Sequence, residues 1–255
     1  MSSLQTTSAL FAPKLTPAPR ERANPSGLTA RLALDTRTRT DAFALRHKSY
    51  LAGDYIDRRP GDLFSDPNDD MPNTKTLVVY KDDAAIASVR MCVLDTNPEL
   101  RGWDDIPVAH VFPEEVDSLL AAASTSGKPV KAIEINRLVR HPDYMKDHEL
   151  VFTLFQFVSF MVTHEKSDMT LSCVRRNHMP FYKRFKFQHI AGPRSYPELK
   201  FETNLMVCPK SSYESLRNSV SIFSPKAVPA EAYAGLFRGE TVNVIKGSSV
   251  SVDRG

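Results

Sequence analysis

The chain has 255 residues, 42% apolar and 25% charged, which is ordinary for a soluble globule and suits one large domain with flanking segments. No apolar run approaches the ~18 residues of a membrane span, and a net charge of only +3 points to no particular class of partner. Three widely spaced cysteines (Cys92, Cys173, Cys208) form no CxxC pair, and no HExxH occurs, so free thiols in a reducing, cytoplasmic compartment and no metal site are expected.

Residues 1–27, rich in Pro, Ser, Thr and Ala and lacking a basic segment followed by an apolar one, read as a disordered leader and not as a signal peptide. "LTARLALD" (28–35) reads as a strand. "RTDAFALRHKSYLAGDYI" reads as a helix stopped by Gly53. A polar loop follows, with four Asp between 62 and 70. "KTLVVY" and "AIASVRMCVL" are strands joined by a turn at Asp82 and Asp83. "FPEEVDSLLAAAS" opens with Pro113 and two Glu, good chemistry for a helix N-terminus. A strand at 130–139, a long apolar helix within 141–166, the strand "MTLSCV", the short helix "NHMPFYKRF" and the strands "FQHIAGP" and "FETNLMVC" complete a domain over 28–208. Residues 209–255 read as a tail with one amphipathic helix at 228–238. The order β, α, β-β, α, β, α, β, α, β, β is α/β (α+β) in class, a mixed sheet with helices on both faces. A ligand is expected in a gap between the strands that flank the long helix.

Two local features carry chemistry. From Met169 to Pro197 there is no acidic residue, against Arg175, Arg176, Lys183, Arg184, Lys186 and Arg194. This is a docking surface for an acidic partner, or a solvated face with counter-charges supplied from elsewhere; no nucleic-acid motif accompanies it. Second, the apolar strand "KAIEINRLVR" carries Glu134 and Arg137. In a regular strand, residues three apart point to opposite faces. Either each charge has its own partner, or a β-bulge brings both to one side and frees a backbone N–H as an oxyanion donor.

The layout resembles the GNAT acyltransferase superfamily, whose fourth strand is bulged beside a splayed cleft. Within it the chain is most similar to the acyl-homoserine-lactone synthases and the FeeM-like N-acyl amino acid synthases. The resemblance runs through "LRHKSY" (Arg46), "DLFSDPNDD" (Asp66, Asp69, Asp70), "SVRMCVLD" (Arg90), "IEINRLVR" (Glu134, Arg137) and "PFYKRFKF" followed by "AGP". It implies a mostly antiparallel sheet and acyl transfer from a thioester to an amine. There are departures. The Gly-rich turn that holds the pyrophosphate of coenzyme A is replaced by "RHPDYMKDHEL", which has no glycine and three carboxylates. This favours the phosphopantetheine of an acyl carrier protein over acyl-CoA as donor, with no tightly bound cofactor, and fits the basic segment. Lys186 stands where relatives usually have Gly. The aromatic that accompanies a sulfonium substrate in lactone synthases has only Tyr55 near its place, and the sole Trp, Trp103, lies elsewhere.

The resemblance also implies roles. Glu134 is the base that deprotonates the amine, or a structural ion-pair partner. Tyr182 is the acid for the thiolate, or a packing residue. Arg46, Arg90 and Arg137, with Asp66, Asp69 and Asp70, bind an amino acid acceptor or form a buried network that fixes the loop. Phe152, Phe155 and Phe157, followed by Phe160 and Met161, wall an acyl-chain pocket or are plain core. The expected product is a long-chain N-acyl amino acid; a lactone synthase and a non-catalytic module are the alternatives. The tail helix "PAEAYAGLF" is a candidate cover for the site or contact with the membrane that receives the lipid.

Overall fold

The computed structural model describes residues 27–100, 105–124, 127–220, 223–224 and 230–244. All of the expected leader (1–27) but Gly27, and Trp103, lie outside them. One eight-stranded sheet runs through the molecule in the order β6-β7-β5-β4-β3-β2-β1-β8. Its strands are β1 (Leu28–Leu32), β2 (Thr74–Lys81), β3 (Ala84–Asp95), β4 (Lys131–Arg140), β5 (Met169–Val174), β6 (Gln188–Ser195), β7 (Glu202–Pro209) and β8 (Val242–Asn243). Every neighbouring pair is antiparallel except β4 with β5.

The helices are α1 (Thr36–Ala52), α2 (Pro107–Val111), α3 (Pro113–Ala123), α4 (His148–His164), α5 (Met179–Arg184), α6 (Lys210–Ser219) and α7 (Ala230–Tyr233). On one face α4 buries Leu154, Phe157 and Val158 against Val89, Met91, Ile133 and Ile135. On the other face lie α1 and the α2–α3 pair, whose Ile106, Val108 and Phe112 pack on Cys92, Leu94 and Ala132. Local chemistry sets the boundaries. Asp35 caps α1, its side chain accepting from the Thr38 amide, so the strand expected through residue 35 ends at Leu32. Asp82 and Asp83 both have positive φ, 48° and 65°, as a two-residue hairpin turn with primed geometry requires.

Three features depart from the sequence reading. The short helix α2 precedes the expected α3 and supplies an amide to the site. α6 follows β7 directly. Residues 230–244 are not a free tail: Tyr233 is fully buried, its ring 4.6 Å from that of Phe157 and 5.6 Å from that of Phe160, and β8 pairs with β1. Of the helix expected at 228–238, residues 228–229 lie outside the described residues and the rest is one turn of α-helix running into a 3-10 segment, Ala234–Arg238. Its Tyr233 and Leu236 are committed to the core, so they face neither a membrane nor the cleft. No helix among the described residues is long and apolar enough to cross a membrane.

Candidate active site

The site begins where the one parallel ladder stops. β4 and β5 pair only through Ala132–Met169, Ile133–Thr170 and Glu134–Leu171. Beyond Glu134 the strands part, and Ser172 Oγ donates to the Ile135 carbonyl at 2.8 Å. At the same point β4 slips against β3: Ser88 faces Val139, whereas Arg90 faces Asn136. The extra residue is a bulge, and Arg137 within it has φ 48°. The bulge reverses the alternation, so Glu134, Asn136 and Arg137 all serve the α1–α2 face. Both explanations for the charged pair in an apolar strand hold: the bulge is present, and each charge has its own partner, the Val108 amide for Glu134 and Asp66 for Arg137.

Between the parted strands lies a cavity of about 380 Å³. One wall carries Asn136, Arg137, Tyr196 and Tyr55; the other carries Val151 and Phe155 of α4 with Phe181 and Tyr182 of α5. Arg140, His148, Arg175 and His178 also line it.

The charged wall rests on a buried lattice. Arg46 grips Asp69 with Nη1 donating to both oxygens at 2.8 and 2.7 Å, and Nη2 reaches Thr76 at 3.2 Å. Arg90 donates to Asn136 at 2.7 Å and to Asp66 at 2.6 Å. Arg137 reaches the other Asp66 oxygen at 2.7 Å. Asp66 also caps the 3-10 turn Pro67–Asp70, which locks the acidic loop in place. Burial opposes the Asp66 charge, but the bonds from Arg90 and Arg137 outweigh it and hold the carboxyl far below its ordinary range.

Glu134 is fully buried behind this wall. The Val108 amide, in the first turn of α2, donates to its Oε2 at 2.9 Å, while Oε1 has no partner. Burial pushes its carboxyl above the ordinary glutamate range. Arg90 Nη2, Arg137 Nη1 and the Tyr196 hydroxyl are likewise buried without a partner. Unpaired polar atoms are costly in an interior, and four in one neighbourhood mark a place where something polar is received.

The structure therefore separates the expected residues. Arg137, Tyr182, Phe155 and Arg175 line the cleft. Glu134 lies behind it; burial raises the pKa values of Cys173 and Tyr196 of the lining, and the nearby Glu134 carboxylate adds to the rise. Arg46, Arg90, Asp66 and Asp69 form the supporting lattice, and Asp70 is exposed, paired with Arg39. Phe152 packs on Phe181 and Phe185, and Phe157 on Tyr233, so neither lines the cleft as an acyl-chain wall would. Burial raises the Tyr182 pKa, which keeps its phenol protonated as a donor.

Arg176, Lys183, Arg184 and Lys186 are exposed on and beside α5, and none pairs with a described carboxylate. Arg194 leaves the group: it donates to Glu115 at 2.5 and 3.0 Å. Lys186 has φ 63°, directly after the α5 cap, which explains why glycine suits the position. Sequence reasoning missed Asn136 and Tyr196. Asn136 neighbours Arg137 and was legible once a bulge was suspected; Tyr196 enters from the β6–β7 connection and carried no spacing signal.

The family model of the N-acyl amino acid synthase FeeM matches residues 41–209, from α1 to the end of β7 and hence the whole cleft. The chain belongs to the FeeM family. Among solved structures it is similar to FeeM, an N-acyl amino acid synthase from uncultured soil microbes, at 14% identity over 74% of this chain and 93% of that one, with a TM-score of 0.59. It is also similar to BjaI, a CoA-dependent acyl-homoserine lactone synthase, at 17% identity over 75% and 88%, with a TM-score of 0.54. No curated protein matches the sequence. These likenesses agree with the GNAT-like mixed sheet. As a FeeM-family member the protein is an N-acyltransferase, an enzyme and not a bare binding module, with an acyl donor and an amine as its substrates.

Proposed function

We propose that the enzyme moves a long-chain fatty acyl group from the phosphopantetheine thioester of an acyl carrier protein to the amine of an amino acid. One observation carries this reading: the cleft has an apolar wall built by α4 and α5, facing a wall of unpartnered buried donors with an orphaned carboxylate oxygen behind it. An acyl chain needs the first. The carboxylate and ammonium of an amino acid need the second.

Arg137 is held by Asp66 through Nε and Nη2, which leaves Nη1 for the acceptor carboxylate. Glu134, its proton affinity raised by burial, takes a proton from the ammonium through a bridging water or hydroxyl. The free amine attacks the thioester carbon, and backbone N–H groups on the unladdered edge of β4 receive the developing oxyanion. The tetrahedral adduct collapses and the thiolate leaves. Tyr182 supplies a proton to its sulfur and is reprotonated by the amine's second proton as the amide forms, and Glu134 releases its proton to solvent.

The carrier-protein donor is supported at α4. Its first turn is closed by the protein's own Asp147, whose side chain accepts from the Leu150 amide, so a pyrophosphate meets a carboxylate there. The exposed cations of the α5 region suit an acidic carrier. Acyl-CoA is the second reading, favoured by BjaI, a CoA-dependent enzyme, and by Arg140 and Arg175 in the cleft lining. A sulfonium acceptor of the lactone-synthase type is disfavoured, because Arg175 already lies 4.2 Å over the ring of Tyr55. The free thiols fit a cytoplasmic location.

The test is mass spectrometry of lipid extracts from bacteria expressing the protein or Glu134→Gln, followed by assays with acyl carrier protein and acyl-CoA. A new N-acyl amino acid series is expected, reduced about 100-fold or more in the variant. A lactone series overturns the acceptor. Full activity of Glu134→Gln overturns the base.

A further inference from the structure

Behind the apolar wall lies a second, smaller cavity of about 20 Å³. It sits between α4, β5, β7 and α6, lined by Val158, Val162, Phe187, Cys208 and Leu216, with little polar surface. Only two residues, Ile135 and Phe155, line both it and the cleft. Ile135 belongs to the sheet. Both stand between the two spaces, and Phe155, carried on α4, presents the larger side chain. Its ring is wedged among Phe181, Tyr182 and Phe185, at centroid distances of 5.5, 5.6 and 4.8 Å. Tyr213 of α6 hydrogen-bonds Ser159 of α4 at 2.7 Å and lines the far side. The void just exceeds the ~10–15 Å³ that one water needs, and its apolar lining makes it a dry space for a terminal methyl or two.

We propose that Phe155 is the ruler of the acyl chain: the ω-end stops against its ring, and the cavity behind is the subsite that a longer chain enters once the ring is removed. The proposal deepens the reading of the cleft as the acyl site and rests on that part of it, not on the donor or the acceptor. Each methylene buried in an apolar site strengthens binding about fourfold, so affinity should climb with length until the chain meets the ring, then level off.

The experiment is calorimetric titration of the purified protein with saturated fatty acids of about eight to about eighteen carbons, which needs neither donor nor acceptor. The variants are Phe155→Leu and Phe155→Ala. Since Phe→Ala in a core commonly costs several-fold more stability than a conservative change, the leucine variant keeps the test open if alanine fails to fold. Leu216→Phe, alone and combined with Phe155→Leu, fills the rear cavity. The expected result is a break in the wild-type ladder that moves at least about two carbons longer in Phe155→Leu, with a gain of about fourfold for each carbon beyond the old break. Leu216→Phe is expected to abolish that gain in the double variant and to leave the wild-type ladder unchanged.

An unmoved break in folded Phe155→Leu overturns the proposal. So does a shortened ladder in Leu216→Phe alone, which would put the wild-type chain already past the ring. Absence of any fatty acid binding overturns it together with the acyl-site assignment. A normal ladder from a protein that makes no N-acyl amino acid overturns only the acceptor.

Discussion

Glu134 and Asp66 are both buried carboxylates, and their environments push them in opposite directions. Asp66 is stabilised as the anion by Arg90 and Arg137. Its folded pKa is depressed, so its contribution is present above its ordinary value of 3.8 and is lost only as pH falls below that. Asp66→Asn leaves two buried guanidiniums short of a partner. It should cost about 3–5 kcal/mol at neutral pH, with the deficit narrowing in acid, read from denaturant melts across pH. Glu134 behaves inversely. Its folded pKa is raised, so the stability linked to its proton is full below about 4.5 and is lost as pH rises through the folded value. Glu134→Gln keeps an oxygen for the Val108 amide and removes the buried charge. Its melting temperature should exceed that of the wild type in alkali, with the gap closing towards acid. A wild-type advantage at high pH would show that Glu134 is held mainly as a structural anion. A carboxylate and a guanidinium in an apolar strand were visible in the sequence because both violate the pattern around them. Tyr196 was not, since a tyrosine at the end of a strand breaks no pattern.

At the scale of elements, the charged pair in β4 raised a bulge as one of two explanations, and the bulge fixes where Arg137 points. Asp82 and Asp83 announced the hairpin. The short α2 was illegible: "PVAHV" is too brief for any helical period to emerge, yet it supplies the amide that meets Glu134. The lesson from Lys186 is different, since its left-handed backbone was hidden until its φ of 63° was known. An L-residue with a Cβ is strained there, so Lys186→Gly should raise stability by about 0.5–1 kcal/mol, or roughly 2 °C in a thermal melt. Lys186→Ala should give no such gain. If both variants melt alike, the strain is not stored at this residue. A drop in carrier-protein affinity alongside a higher melting temperature in Lys186→Gly would separate the docking role proposed for the side chain from its backbone cost.

The whole molecule is larger than its sequence suggested. Periodicity faded after Pro209, because α6 is mostly polar and the segment at 230–244 has a single turn of α-helix and a two-residue strand. Such pieces give no repeating signal, and only tertiary contacts reveal them. They bury Tyr213, Leu216, Tyr233, Leu236, Val242 and Val244. At about 1.5–3 kcal/mol for each large apolar side chain, that burial is comparable with the whole stability of a typical domain. A chain ending at Pro209 should therefore fail to fold cooperatively, with bared β1 edge and α4 surface driving it to aggregate. A soluble, active truncation with an unchanged melt would return these residues to the status of a tail. The short parallel ladder between β4 and β5 has its own consequence. The sheet is two stiff leaves sharing a spine of three residue pairs, like a book held partly open. A molecule lodged between the pages touches both at once and stands in for the missing rungs, so the substrate is also a brace: occupancy of the cleft should stiffen the distance between the leaves without altering either one.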